Sequence, residues 1–144
     1  MTSSLIDWKL FVNWSIERAH GVDLDLDEVL EVYRSSGLGE RRPIADRDCF
    51  GAMIRNANLI VSCRIGETMV GIARSISDFS YVTYLSDIAV SRPYQRSGIG
   101  RALIEATKKE APQAKIVLLS APAATEYYPH IGFSRHDSAW VLNP

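Results

Sequence analysis

Leu85-Ser-Asp-Ile-Ala-Val-Ser-Arg-Pro-Tyr-Gln-Arg-Ser-Gly-Ile-Gly-Arg-Ala-Leu-Ile104 is the stretch on which the reading of this 144-residue chain turns. It reads as an apolar strand, a break at Pro93, and a glycine loop that runs directly into a helix. Gly98 and Gly100 lack a Cβ, so the backbone there can turn sharply and approach a ligand closely. A helix that opens at this point aims unpaired N–H groups and a positive dipole end into the loop, which favours phosphate. Arg92, Arg96 and Arg101 add fixed positive charge beside it. A phosphate-bearing ligand is the first expectation.

The rest of the chain bounds what that ligand can serve. At 144 residues one domain with a sizeable core is expected, and 47% hydrophobic with 23% charged residues is ordinary globular composition. A net charge of −1 argues against an extended nucleic-acid surface, so no nucleic-acid partner is expected. No apolar run is long enough to span a bilayer, and the first ten residues lack the pattern of a signal peptide. Cys49 and Cys63 match neither a disulfide framework nor a zinc site, and the three histidines lack metal-ligand spacing. A cytoplasmic enzyme or binding domain without a metal is the expectation.

Upstream, Trp8 to Arg18 is rich in aromatic and β-branched residues with partial alternation and predicts a first strand. Asp25-Leu-Asp-Glu28 resembles a capping box and opens a helix that Gly37 and Gly39 should end. A second helix is expected from about Asp46 to Asn56, with Phe50, Met53 and Ile54 on one face. Leu59–Ile65 and Thr68–Ile76 flank Gly66-Glu67 as a hairpin. Tyr81 to Val90 follows as another strand. After the glycine-opened helix, Lys115-Ile-Val-Leu-Leu-Ser120 predicts a buried strand, parallel to Tyr81–Val90 because a helix separates the two. Ala121 to His130 predicts a short helix, and Phe133 to Leu142 a closing strand. The sum is one unit of strands and helices on a mixed sheet.

Two named phosphate loops fail. The dinucleotide pattern needs a third glycine where Leu103 stands, and no Gly-Lys-Ser/Thr occurs. Gln95-Arg-Ser-Gly-Ile-Gly100, placed after an apolar strand and before a helix, resembles the acyl-CoA-binding motif Q/R-x-x-G-x-G/A of the GNAT superfamily of N-acyltransferases. Ala124-Thr-Glu-Tyr-Tyr-Pro-His-Ile-Gly-Phe133 is similar to that superfamily's A-x-x-F-Y-x-x-x-G-F segment, and the two blocks stand in the family's order. The resemblance covers about Tyr84 to Phe133 by motif and the rest by element order.

This resemblance implies an α+β fold of the GNAT type: a mostly antiparallel mixed sheet, one parallel pair splayed open, and helices on both faces. It implies acetyl-CoA as acyl donor, with pantetheine against backbone groups of Ile88, Ala89 and Val90. Pyrophosphate would lie on the N–H groups of Gln95, Arg96, Ser97, Gly98, Ile99, Gly100 and Arg101. It implies Tyr128 as the acid that protonates the departing thiolate, while Tyr127 reads as packing. A phenol near pKa 10 and a thiol near 8.5 leave that transfer uphill by about 2 kcal/mol, small enough for a positioned donor.

The base is harder to read. Some polyamine-acetylating members carry an acidic pair where this chain has Ser86 and Asp87, so Asp87 is a candidate for the amine's proton or an acceptor at a strand irregularity. Tyr33, Arg34, Arg74 and Asp78 stand where similar proteins bind their acceptors, with ordinary salt bridges as the plainer reading. The position of Ala121 often carries a cofactor-contacting asparagine in the family, and that contact is missing here. The expected activity is acetyl transfer to a small primary amine. A protein or tRNA amine, or a non-catalytic acyl-CoA-binding module, are the alternatives. Homodimers are common among similar proteins, but no residue pattern marks an interface.

Overall fold

The structure, a computed structural model, describes residues 13–144. Five strands lie side by side in chain order: β1 (Ser15–Ala19), β2 (Leu59–Ile65), β3 (Thr68–Ser77), β4 (Val82–Val90) and β5 (Lys115–Val117). The first four pair antiparallel, and β4 with β5 is parallel. The helices are α1 (Leu26–Ser36), α2 (Arg47–Asn56), α3 (Ile99–Glu110) and a single turn, α4 (Tyr127–His130).

The helix boundaries follow from side-chain chemistry. Asp25 accepts a hydrogen bond from the Asp27 N–H at 3.0 Å and so caps α1. Gly37, at φ 91°, ends the helix in the left-handed conformation that a Cβ would oppose. Asp46 caps α2 through the Cys49 N–H. Both helices pack on one face of the sheet, where Val29, Tyr33, Phe50 and Ile54 meet Ile60, Ile72 and Ala89. α3 covers the opposite face, with Ile99, Leu103 and Ile104 against Val61, Ala73 and Leu85. Burial on both faces is why the central strands read as nearly continuous apolar runs.

Two bulges re-aim the central strands. One lies in the β2–β3 ladder between Cys63 and Arg64. In β3–β4 the register passes from Arg74↔Asp87 to Ser75↔Leu85 and leaves Ser86 without an opposing residue. An inserted residue reverses the alternation. Leu85 therefore packs toward α3, whereas Asp87, two positions on, points at Tyr33 of α1.

Three expectations need correction or restriction. β5 ends at Val117 rather than Ser120 and is not a buried strand, since Val117 and Leu119 are 43% and 48% exposed. Only Val82–Tyr84 of β4 pair with it, so Leu118–Ser120 have no ladder to join. The closing strand over Phe133 to Leu142 does not form. Phe133 packs into the α3-side core, but residues 134–144 are exposed, Trp140 at 93%. A segment becomes a strand only where a neighbouring strand accepts its hydrogen bonds, and among the described residues none pairs with it. Of the first predicted strand, Trp8 to Val12 lie outside the described residues, and Ser15–Ala19 is β1.

Candidate active site

The opening in the sheet follows from where β5 stops. β4 runs on from Leu85 to Val90 with β3 on one side and no strand on the other. The Ser91 N–H donates to the Val70 carbonyl at 2.8 Å, so in this antiparallel ladder Ser91 and Ala89 turn their backbone groups toward β3. By alternation, Ile88 and Val90 direct theirs into the opening. In agreement, the Val90 carbonyl accepts from the Gln95 side-chain amide at 2.9 Å. Ile88 and Val90 thus offer donors to a ligand lying along β4, whereas the backbone groups of Ala89 belong to the ladder.

β4 leads into the glycine loop. Arg96 has φ 62° and Gly98 φ 92°, so two left-handed residues stand two apart and fold the chain into a concave turn. For arginine that conformation is uncommon and costs energy, as residues around ligand-binding backbone often do. Gly98 is the N-cap of α3 and supplies no side-chain cap. The Ala102 N–H reaches the Gly98 carbonyl at 3.1 Å, so the N–H groups of Ile99, Gly100 and Arg101 in the first turn have no helical acceptor. They fit a pyrophosphate. Gln95 braces this loop, its amide reaching Val90 and, at 3.3 Å, the Ser36 carbonyl at the end of α1. The Ser97 hydroxyl bonds the Tyr94 carbonyl. Arg101 pairs with Glu105 at 3.1 Å on an exposed surface.

Tyr128 faces the opening from the far side. A narrow cleft of about 60 Å³ is lined by Tyr128 with Leu85, Ser86 and Ile88 of β4, by Leu118 and Leu119 beyond β5, and by Arg41 and Arg42 between α1 and α2. The Tyr128 ring is held edge-on by Tyr127 and Phe133, with centroids 5.3 and 5.5 Å away. No side chain or backbone group among the described residues bonds its hydroxyl. Burial, then the neighbouring Tyr127, raises its pKa above the ordinary value, so it carries its proton at neutral pH. Tyr127 stands over the first turn of α3, where a Cβ on Gly100 would lie 3.8 Å from its hydroxyl.

Asp87 lies beneath the cleft with its side chain fully buried. Its Oδ2 accepts from the Tyr33 hydroxyl and from Arg74 Nε, each at 2.6 Å, and its Oδ1 accepts from Arg42 Nε at 2.6 Å. Burial opposes ionisation, but the hydrogen bond and charge of Arg74, helped by Tyr33 and Arg42, outweigh it and hold the carboxyl below the usual range. A carboxylate so satisfied is a weak proton acceptor, and it stands behind its partners. Burial and Asp87 together push the Tyr33 phenol well above its ordinary pKa. Ser86 is also engaged, bonding Arg74 Nη2 at 2.8 Å.

Of the expected acceptor residues, Tyr33 and Arg74 meet at Asp87, away from the surface, and Arg34 and Asp78 stand apart from them. Tyr33 is 0% exposed and packs edge-on against Phe50, which leaves it no surface for a substrate. Arg74 is buried with Asp87. Arg34 is exposed on α1 and pairs with Glu31. The Asp78 carboxylate caps a turn, accepting from the N–H groups of Ser80, Tyr81 and Val82, which lower its pKa. A broader groove of about 510 Å³ between α1 and β3 is lined by Asp27, Glu28 and Glu31, each already paired with an arginine. Arg41 and Arg42 line the cleft although the sequence reading gives them no role. A doubled arginine between two helices was the available signal.

A family model described as "Acetyltransferase (GNAT) domain" matches residues 29–143. The chain belongs to the GNAT acetyltransferases. Among solved structures, a GNAT-family acetyltransferase from Streptococcus pneumoniae is similar with a TM-score of 0.70 and 19% identity, covering 92% of this chain and all of that one. An aminoglycoside N-acetyltransferase in complex with CoA has a TM-score of 0.69 and 15% identity, covering 92% and 95%. An aminoglycoside acetyltransferase from an uncultured soil metagenomic sample, in complex with sisomicin, has 0.65 and 18%, covering 91% and 95%. No curated relative matches the chain by sequence. The α+β architecture with its splayed parallel pair is that of the family. Among the described residues, no helix is long and apolar enough to cross a membrane, and no cluster of His, Cys, Asp or Glu could hold a metal.

Proposed function

We propose that the chain transfers an acetyl group from acetyl-CoA to the primary amine of a small molecule, by direct attack in a ternary complex. What supports this reading is that Tyr128, its hydroxyl unbonded among the described residues, and the free edge of β4 line one cleft, while the adjacent Tyr127 reaches the first turn of α3, where a Cβ on Gly100 would lie 3.8 Å from its hydroxyl. The small-molecule acceptor is favoured by the structural neighbours whose names specify aminoglycosides.

In this reading the N–H groups of Ile99, Gly100 and Arg101 hold the pyrophosphate, and those of Ile88 and Val90 align the arm along β4. Acetyl-CoA supplies the acyl group as a thioester. The Val90 N–H also takes the charge that develops on the carbonyl oxygen in this reading, a role in which one donor contributes roughly 10²–10³ in rate. Tyr128 gives its proton to the sulfur as the C–S bond breaks. Its raised pKa weakens it as an acid, but the same apolar surroundings disfavour the thiolate it must protonate.

The attacking amine has to be neutral. Asp87 is shielded behind Arg42 and Arg74, so the amine's proton leaves to solvent at the cleft mouth, and the nearby guanidiniums disfavour the ammonium form. Asp87 is then a positioning residue that ties Arg42, Tyr33 and β4 together. Cys63 is buried, which pushes its thiol up to about 11, so it offers no acyl-cysteine route. Incubation with acetyl-CoA and an amine panel, followed by mass spectrometry, tests the proposal. Acetylated amine formed in step with free CoA is expected. Binding of acetyl-CoA without transfer to any amine would leave only an acyl-CoA-binding module.

A further inference from the structure

The charge of the cleft selects among amines. Its lining residues include Arg41 and Arg42 and, among the described residues, no aspartate or glutamate. Arg42 has five N–H groups and commits three: Nε to Asp87, one on Nη1 to the Arg41 carbonyl at 2.8 Å, and one on Nη2 to the Ser86 carbonyl at 2.9 Å. Two N–H groups stay available on a side chain that is 22% exposed. Arg41 is exposed, and its guanidinium makes no ion pair among the described residues. Asp87 is shared between Arg42 and Arg74, and Glu40, next to Arg41 in the chain, is exposed and makes no ion pair among the described residues; three arginines against these two carboxylates leave the cluster cationic. The remaining wall is apolar, with Leu38, Leu118 and Leu119.

A polycation entering this cleft would meet like charge with no anionic partner. A group with negative oxygens would find a planar fork of donors held in place by Asp87 and the Ser86 carbonyl. Resting on the acetyl-transfer reading above, we infer that the acceptor is an amine that also carries an anionic group, a carboxylate or phosphate, held by Arg41 and the two free N–H groups of Arg42. The site thereby differs from what a polycationic aminoglycoside needs: it attracts the anionic amine and repels the polyamine.

Matched pairs of acceptors test this: an α-amino acid against its amide, O-phosphoethanolamine against ethanolamine, and spermidine and sisomicin as polycations. The anionic member of at least one pair should exceed its partner and both polycations in kcat/KM by about tenfold or more, the scale of a charge-assisted hydrogen bond. The two pairs separate carboxylate from phosphate. Arg41→Gln should erase most of that preference, affect the neutral partner far less, and leave the KM for acetyl-CoA unaltered. Arg41 is exposed, so the variant is expected to fold. Preference for neutral or polycationic amines overturns the inference while leaving acetyl transfer standing, as does a preference that survives Arg41→Gln. A rise in acetyl-CoA KM also overturns it, by assigning Arg41 to the donor. No acetylated amine anywhere in the panel defeats both readings.

Discussion

Replacing Asp87 with asparagine separates a positioning carboxylate from a catalytic base. The substitution keeps shape but removes the charge, and only one of the two oxygens remains. Oδ1 serves Arg42 and Oδ2 serves Arg74 and Tyr33, so the new NH₂ must face a guanidinium N–H on one side or the other. Arg74, with a side chain only 9% exposed, then keeps its charge without a counter-ion. Breaking a buried pair from one side costs about 3–5 kcal/mol, a large part of the roughly 5–15 kcal/mol that holds a domain together. At about 2–4 °C per kcal/mol for a chain near this size, the melting temperature should fall by roughly 6–20 °C. Calorimetry or circular dichroism reads that directly. At a temperature where the variant is still folded, kcat should fall by less than about tenfold, because no proton acceptor has been removed. A melting temperature within about 2 °C of wild type, together with a loss of 10²-fold or more in kcat, would overturn the positioning role and make Asp87 the base.

Acid unfolding should carry the same signature. The folded-state pKa of Asp87 is lowered, so its contribution is fully present above the unfolded value near 4 and is lost as pH falls through the folded value; wild type should lose stability below about pH 4, and Asp87→Asn should show a flatter acid limb in denaturant titrations. Gly98→Ala tests the loop: a Cβ there meets nothing closer than 3.9 Å, but at φ 92° it is strained by about 1–2 kcal/mol, so acetyl-CoA should bind several-fold more weakly by isothermal calorimetry.

Local chemistry made much of the fold legible. The aspartates at 25 and 46 are caps, Gly37 is a left-handed stop, and Leu59–Ile65 with Thr68–Ser77 form the hairpin that their two apolar runs about Gly66 specify. The turn into α3 was readable for the same reason, since Gly98, at φ 92°, stands as the N-cap of the helix. What stayed hidden depends on residues far apart in sequence. Arg42 reaches Asp87 across 45 positions, and Tyr33 does so across 54. Neither pairing has a periodic signature, so Tyr33 and Arg74 read as acceptor contacts when they are partners of a buried carboxylate. The bulge at Ser86 was equally invisible, although it decides which face Asp87 meets. The last segment shows the converse: Phe133 to Leu142 ends in an apolar run, Ala139-Trp-Val-Leu142, but β5 is only three residues long and pairs with β4 alone, so among the described residues the segment has no strand to join.

Acid catalysis by Tyr128 is tested by measuring kcat and the acetyl-CoA dissociation constant side by side for wild type and Tyr128→Phe. The hydroxyl bonds nothing among the described residues, so its removal should leave the fold and acetyl-CoA binding unchanged. The expected outcome is a kcat lower by roughly 10²-fold or more, the usual contribution of a positioned acid, with the dissociation constant unaltered. A kcat equal to that of wild type would contradict it.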